Sequence, residues 1–235
     1  LSQSTSYALD GLKRLAAITN AQNASAQISY DKLDSIVAAS DFKGMVTSYD
    51  RDAQGNAKQT HSNDAGLQSA QYDALGLPTS VTDALGQATS ITRDLLGRPT
   101  LITYADDANS ATGRTTTIAY DTTTTNIGYA GIITDPAAKT TYIRDTLGRV
   151  TRKTQLLTSG ANSVVNYTYV AANTAGAGQL NSISYPNGGV LSYVYSSSGQ
   201  LSGLNWATST TATAQPLISN IVWSPLGQPL TWNWD

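Results

Sequence analysis

The sequence predicts an all-β fold, an antiparallel ribbon of repeated β-hairpins curved as an arc or small open shell, and three observations lead to it. All sixteen acidic residues are Asp and none is Glu, so a turn former replaces a good helix former. A four-residue turn unit recurs along the chain. Between the turns, apolar and polar residues alternate, which is typical of half-buried strands.

The turn unit has Asp, Asn or Ser at its first position and Gly at its fourth. These residues favour a type I turn closed by a glycine in the left-handed conformation. The clearest copies begin at Asp41, Asp52, Asp73, Asp83, Asp94 and Asp145. The glycines that end the copies and their variants are Gly44, Gly55, Gly66, Gly76, Gly86, Gly97, Gly148, Gly199 and Gly227. We expect these structural turn residues to hold the strands in register.

The spacing of the turns sets the lengths of the strands. From Gly44 to Gly97 successive glycines are 11, 11, 10, 10 and 11 residues apart, which leaves about six or seven residues for each strand. We therefore predict about twenty strands in a single β-domain over residues 1–235, a fragment of a longer shell. Repeats are most regular over 41–104 and looser over 105–235. Longer loops are predicted at 105–113, 122–125, 171–178 and 207–215.

The N-terminal stretch 9–17 admits two interpretations. It has the length of one or two helical turns, but Tyr7, Asp10 and Arg14 also form a loose copy of the repeat. We favour the copy.

Charge and composition exclude several classes of function. Fourteen Lys and Arg stand against sixteen Asp, so the chain lacks the basic excess that nucleic-acid binding requires. With no Cys, disulfides, thiolate metal sites and thiol catalysis are excluded. No apolar run reaches the roughly 18 residues of a membrane-spanning helix.

No residue pattern predicts catalysis, a cofactor or a metal. His61, the single histidine, precedes a predicted turn and is best explained as a solvated hairpin residue. Asp50–Gly55 resembles the start of a calcium loop, but its twelfth position is His61 where a bidentate Glu belongs. The adjacent carboxylates Asp106 and Asp107 lie in a polar loop, and the other Asp residues are explained by turns. We therefore predict that the chain is not an enzyme.

Tryptophans are concentrated near the C-terminus, at Trp206, Trp223, Trp232 and Trp234. Trp232 and Trp234 alternate along one strand and are possible glycan-stacking residues. The alternative is that Trp223, Trp232 and Trp234 pack against neighbouring strands, as the tyrosines do.

Several copies of the unit resemble the YD repeat of the Rhs family. They include Tyr72-Asp73-Ala-Leu-Gly76, Arg93-Asp94-Leu-Leu-Gly97-Arg98 and Tyr142-Ile-Arg-Asp145-Thr-Leu-Gly148-Arg149. Bacterial Rhs proteins, cocoon-forming subunits of insecticidal toxin complexes and teneurins share this repeat. The resemblance implies a β-ribbon that spirals into a hollow shell, which in bacterial members encloses a toxic segment. Asp135-Pro136-Ala-Ala does not match the self-cleaving motif that ends many of these shells.

The resemblance implies a non-catalytic structural scaffold, secreted or at the cell surface, whose partners are a polypeptide cargo or neighbouring shell repeats. The alternative is a carbohydrate-binding or adhesive module, for which an exposed groove lined by Trp232 and Trp234 would be evidence. A glycan-cleaving enzyme on a β-solenoid is a third hypothesis. We also expect self-association through the C-terminal edge strand 230–234, because an unpaired strand can pair with another chain.

Overall fold

The structure is a computed structural model, and it describes residues 3–105 and 114–235. Asp106 and Asp107, with nearly all of the loop predicted at 105–113, lie outside the described residues. Contacts divide the chain into two compact units, Leu1–Thr116 and Thr117–Asp235. Within the described residues no helix has the length and apolarity needed to cross a membrane.

The first unit is an antiparallel meander in which each strand pairs with the next. Its strands are β1 Ser6–Leu9, β2 Leu15–Thr19, β3 Ser25–Tyr30, β4 Ile36–Ser40, β5 Val46–Arg51, β6 Ala57–Ser62, β7 Gly66–Tyr72, β8 Pro78–Thr82, β9 Ala88–Arg93 and β10 Pro99–Tyr104. The pairing of β1 with β2 shows that the N-terminal stretch is a copy of the hairpin.

The second unit is also an antiparallel meander. Its strands are β11 Arg114–Tyr120, β12 Ala130–Thr134, β13 Ala138–Arg144, β14 Val150–Leu157, β15 Asn162–Tyr169, β16 Leu180–Ser184, β17 Val190–Tyr195, β18 Leu201–Ala207, β19 Gln215–Trp223 and β20 Pro229–Trp234; the unit boundary falls within β11. The predicted all-β fold of repeated antiparallel hairpins is confirmed.

The turn that begins at Asp73 shows the geometry of the repeat. The Gly76 N–H donates to the Asp73 carbonyl over 3.0 Å, and the Asp73 N–H donates to the Leu77 carbonyl over 2.9 Å. One oxygen of the Asp73 carboxylate accepts the N–H groups of Leu75 and Leu77, both at 2.9 Å. Gly76 has φ +76°, and the register shifts just before the turn. The turn is therefore a type I turn followed by a left-handed residue and a bulge.

Three turns of the first unit have the same geometry without glycine. Lys13, Asn23 and Asp34 take the left-handed position with φ of 64°, 62° and 63°, in turns that begin at Asp10, Asn20 and Asp31. With Asp10 and Asp31 included, Asp recurs every 21 residues, at positions 10, 31, 52, 73 and 94. The structural repeat is thus a pair of hairpin turns, one on each edge of the sheet.

Two other turns differ from the pattern that the sequence indicates. The hairpin at Asp135 is a tighter turn without a left-handed residue, because the Asp135 N–H donates to the Ala138 carbonyl and Thr134 pairs with Lys139. Its central Pro136 has the fixed φ that suits this position. In the turn that ends at Gly66, the Ser62 hydroxyl rather than Asn63 accepts the backbone N–H groups, those of Asp64 and Ala65.

Strand register gives the second unit one apolar face. Ile183 pairs with Tyr167 on one side and with Leu191 on the other, and Leu191 pairs with Trp206. Paired residues project to the same side of a sheet. We call this the apolar face, and its larger members are Ile118, Ile133, Tyr142, Val165, Tyr167, Ile183, Leu191, Tyr193, Leu204, Trp206 and Ile218. The residues between them form the opposite face, which we call the polar face because it is rich in Ser, Thr and Asn, although Ile132, Ile143, Val164 and Val194 also lie on it.

Neither unit encloses a hydrophobic core. Among the described residues only Ala138 and Ala207 are buried hydrophobic side chains. The accessible surface is 15237 Å² for 24.7 kDa, against roughly 10,000 Å² for a compact monomer of this mass. Each sheet is therefore a single layer that is open on its faces, and its stability has to come from contacts between neighbouring hairpins.

Replacing a glycine in the left-handed position should destabilise the fold through the backbone alone. Gly86 has φ +79° and nothing within 4 Å of an added Cβ. We predict that Gly86→Ala lowers the free energy of unfolding by about 1 kcal/mol, measured by chemical denaturation.

Gly11 is the matched control, because an added Cβ also meets nothing within 4 Å there and φ is not in the left-handed region. Gly11→Ala should change the free energy of unfolding by less than about 0.5 kcal/mol. Equal losses in the two variants would contradict the assignment of strain to φ.

Candidate functional site

The most regular arrangement of side chains joins successive turns along one edge of each unit. Three positions take part, and we name them from the turn. The cap residue is the first residue of the turn, the pre-turn residue comes immediately before it, and the closing residue lies four positions after it. In the turn at Asp73 these are Asp73, Tyr72 and Leu77.

The pre-turn residue reaches back to the previous turn on the same edge. The Tyr72 hydroxyl donates to the carbonyl of Ala57, the residue that follows the previous closing residue, over 2.9 Å. The same bond recurs from Tyr30 to Leu15, from Tyr169 to Val150 and from Tyr195 to Leu180, at 2.6 to 2.9 Å. Trp223 replaces the tyrosine in the last copy, where its Nε1–H donates to the Leu201 carbonyl over 2.6 Å. Aromatic pre-turn residues therefore tie neighbouring hairpins together.

Arginine takes the pre-turn position in other copies and makes an equivalent link. Arg51 donates to the Ile36 carbonyl of the previous turn and to the Gly55 carbonyl of its own turn. Arg93 makes the matching pair of bonds to Pro78 and Gly97. One guanidinium thus satisfies carbonyls of two consecutive turns.

The closing residue completes the link where it is arginine. Arg14 and Arg149 pair with the cap residues Asp10 and Asp145, with N–O distances of 2.7 Å. Their guanidinium groups lie over the rings of the next pre-turn residues, Arg14 at 4.4 Å from the Tyr30 centroid and Arg149 at 4.2 Å from that of Tyr169. These distances fit a cation–π contact.

In one copy the two residue types exchange places, with the tyrosine in the earlier turn and the arginine at the next pre-turn position. Arg144, a pre-turn residue, lies 4.4 Å from the ring centroid of Tyr129. Tyr129 takes the place of the closing residue in the longer turn that begins at Asp121, because its carbonyl accepts the Asp121 N–H. We call these repeated links between consecutive turns, made by the cap, closing and pre-turn residues, the turn ladder. Its chemistry is hydrogen bonding and stacking between structural groups.

The carboxylates of the ladder are held in their charged form. Backbone and side-chain hydrogen bonds from Arg14 hold the pKa of Asp10 below its ordinary value, against the opposing effect of desolvation. The pKa values of Asp52, Asp94 and Asp145 are also lowered, with desolvation again opposing the hydrogen bonds. Acceptors occupied in this way are caps, and a general acid would need the opposite shift.

The other residues considered from the sequence lie apart from one another. His61 is exposed on β6, paired in register with Ser48 and Leu67. Within the described residues no three His, Cys, Asp or Glu side chains come together as metal ligands. Trp232 and Trp234 lie on β20 with 46% and 71% of their surfaces exposed.

Sequence reasoning identified the cap residues and the glycines as a pattern but missed the roles of the closing and pre-turn residues. The signal was present, because Tyr, Arg or Trp precedes most caps on this edge and Arg closes three of the turns. The sequence did not reveal the partner of the pre-turn residue. This partner is a carbonyl about 15 residues earlier in the chain, and its position depends on strand register.

The ladder predicts a defined response to acid. A carboxylate with a lowered folded pKa contributes stability that is fully present above its unfolded pKa and is lost as the pH falls through the folded value. We therefore predict that Asp10→Asn is less stable than the wild type at pH 7, and that the difference shrinks below about pH 4. The measurement is urea denaturation from pH 7 to pH 2.5.

Asn20 provides the neutral control, since its side-chain oxygen caps a turn by accepting the Gln22 and Ala24 N–H groups. Any stability difference between Asn20→Ser and the wild type should stay constant over the same pH range. A constant difference for Asp10→Asn as well would contradict the electrostatic role of Asp10.

Comparison with known proteins links this geometry to a family. The family model described as RHS Repeat matches residues 72–108, which include the Tyr72–Asp73 and Arg93–Arg98 copies. No curated protein sequence matches the chain.

Solved structures match along nearly the whole chain. A structure of TcdB2-TccC3 without the hypervariable C-terminal region matches 99% of the chain with a TM-score of 0.65 and 14% identity. The Photorhabdus luminescens Tc holotoxin pore matches 98% with a TM-score of 0.65 and 15% identity. The chain spans only 15% of the length of each of these proteins. The chain thus contains an RHS repeat at residues 72–108, and its fold is similar to that of these Tc toxin structures over nearly its whole length.

Proposed function

We propose that the chain is a non-catalytic structural scaffold, part of an Rhs/YD-type shell that encloses or presents a polypeptide cargo. The observation that carries the proposal is the single-layer sheet with one apolar face, which leaves Tyr167, Leu191 and Trp206 without a second layer of protein in the described structure. A sheet that is covered on neither side is suited to form a wall. The likeness in fold to TcdB2-TccC3 supports the same function.

The chemistry of the repeat supports a scaffold rather than an enzyme. The cap carboxylates accept backbone N–H groups, and the arginines bind carbonyls or stack on rings, so these groups serve the fold. His61 lies on an exposed strand position. The structural turn residues, from Asp41 to Gly227, act in this proposal by fixing the register of the wall.

The cargo face can be tested with a matched pair of positions on β17. Tyr193 belongs to the apolar face, and its neighbour Ser192 projects to the polar face. We predict that a photo-cross-linking residue at Tyr193 captures an unstructured polypeptide fused after Asp235, because apolar segments bury surface against that face. The measurement is the yield of the cross-linked species on a denaturing gel.

The same residue placed at Ser192 should give a yield at least about fivefold lower, which corresponds to roughly 1 kcal/mol of preference. Equal capture from the two positions, or capture from neither, would count against enclosure of cargo by the apolar face.

We also propose that the open edge of β20 pairs with a second copy of the chain. Within the described residues β20 pairs only with β19. The Asp235 N–H donates to the Leu217 carbonyl, so by alternation the N–H groups of Trp232 and Trp234 face the open edge. Such an unpaired edge is a template for strand addition.

Trp232→Pro should therefore abolish concentration-dependent self-association, because proline removes an edge donor. Trp232→Ala is the control that loses the ring and keeps the N–H, and it should still associate. Light scattering over a hundredfold range of concentration measures both. A wild type that stays monomeric, or an alanine variant that behaves like the proline variant, would refute strand addition.

Glycan binding on Trp232 and Trp234 is the second candidate function. The specific observation in its favour is the exposure of both rings on one strand. If it is correct, replacing both tryptophans by Ala should remove oligosaccharide binding and leave cross-linking of the cargo unchanged.

A further inference from the structure

A concave site unrelated to the turn ladder lies beside the turn between β16 and β17. It has a volume of about 510 Å³ and is lined by Tyr185, Pro186, Asn187, Leu191, Trp206 and Leu217. The rings of Tyr185 and Trp206 have their centroids 5.9 Å apart at an interplanar angle of 45°. We call this site the aromatic slot. The slot is a shallow depression open to solvent, and its lining of apolar and aromatic side chains with one amide suits a ligand that lies against the surface.

The slot depends on a glycine that nothing in the strand pairing requires. Gly189 is buried, and an added Cβ would lie 2.4 Å from Cη2 of Trp206. Because Gly189 has no Cβ, the Trp206 indole can lie directly against the turn. The Asn187 side-chain oxygen accepts the Gly189 N–H over 3.0 Å, which fixes the side-chain amide at the slot.

The polar atoms of the slot differ from those of the ladder. The Tyr195 hydroxyl and Trp223 Nε1 both donate to backbone carbonyls. In residues 3–105 and 114–235, no protein group bonds the Tyr185 hydroxyl, Trp206 Nε1 or the Asn187 side-chain nitrogen. Aromatic residues whose polar atoms have no structural partner are available to a ligand.

The charge and polarity of the slot define the ligand. None of the six lining residues is charged, so an ionic ligand would find no counter-ion. The surface is apolar, with three neutral hydrogen-bonding groups among its residues. A pyranose ring has the complementary arrangement, since its C–H face is apolar and its oxygens lie around the perimeter.

We propose that the aromatic slot binds a neutral pyranose ring of a glycan, stacked on Trp206, with its oxygens bonded to Tyr185 and Asn187. This site is separate from Trp232 and Trp234 on β20. It shares Leu191 and Trp206 with the apolar face, but binding of a sugar is no part of the scaffold function. The proposal therefore extends beyond the proposed function.

The experiment titrates the full chain with cellotriose, chitotriose and sialyllactose, followed by calorimetry and by tryptophan fluorescence. We expect saturable binding of a neutral trisaccharide with Kd at or below about 1 mM. Tyr185→Ala should weaken it at least about tenfold, and Asn187→Ala about two- to tenfold through one lost hydrogen bond. Both side chains are exposed, and thermal unfolding checks that the variants are folded.

Trp232→Ala combined with Trp234→Ala is the matched control, and it should leave the affinity within about twofold. Gly189→Ala should abolish binding by displacing the Trp206 indole. The proposal is overturned if no neutral sugar binds at about 10 mM, if only sialyllactose binds, or if the β20 variant loses binding that Tyr185→Ala retains. None of these results bears on the cross-linking test of cargo enclosure.

Discussion

The fold depends on the contact between consecutive turns on one edge of the sheet. A single-layer sheet has no opposite layer to pack against, so the hydrophobic burial that stabilises most domains is largely missing here. In its place the pre-turn residue of most repeats bonds the backbone of the repeat before it, as Tyr72 does with Ala57. The ladder therefore stabilises the sheet one neighbour at a time, as in other repeat proteins.

This constraint accounts for the composition of the repeat. Asp suits the cap position because its carboxylate accepts two N–H groups of a tight turn, as the Asn20 amide oxygen also does. Arginine suits the pre-turn and closing positions because it can bind carbonyls and also stack on a ring. In the described pairs with a stacked guanidinium, one partner is Arg and the other is Tyr, as with Arg149 and Tyr169 or with Tyr129 and Arg144. Arginine at both the closing position and the next pre-turn position would place two positive charges in contact, and these charges would repel each other.

Much of the fold could be predicted from the sequence, because it is set by local signals. Asp73 and Gly76 define their turn within four residues, and alternation in β15 and β17 gives the strands. The turn at Asp31 could not be recognised from the sequence, because Asp34 takes the left-handed position where glycine was expected. The aromatic slot could not be predicted at all. It depends on Trp206 meeting Gly189 and Tyr185 across strands, which only the register of β17 and β18 determines.

A double-mutant cycle on Arg149 and Tyr169 tests most directly whether the ladder holds neighbouring hairpins together. Arg149→Gln introduces a residue that closes other turns at Gln179 and Gln200, and Tyr169→Leu removes the ring. If the ladder acts as described, the free energies of unfolding should show a favourable coupling of about 0.5–1 kcal/mol between the two side chains. Additive effects, with a coupling below about 0.3 kcal/mol, would contradict the account.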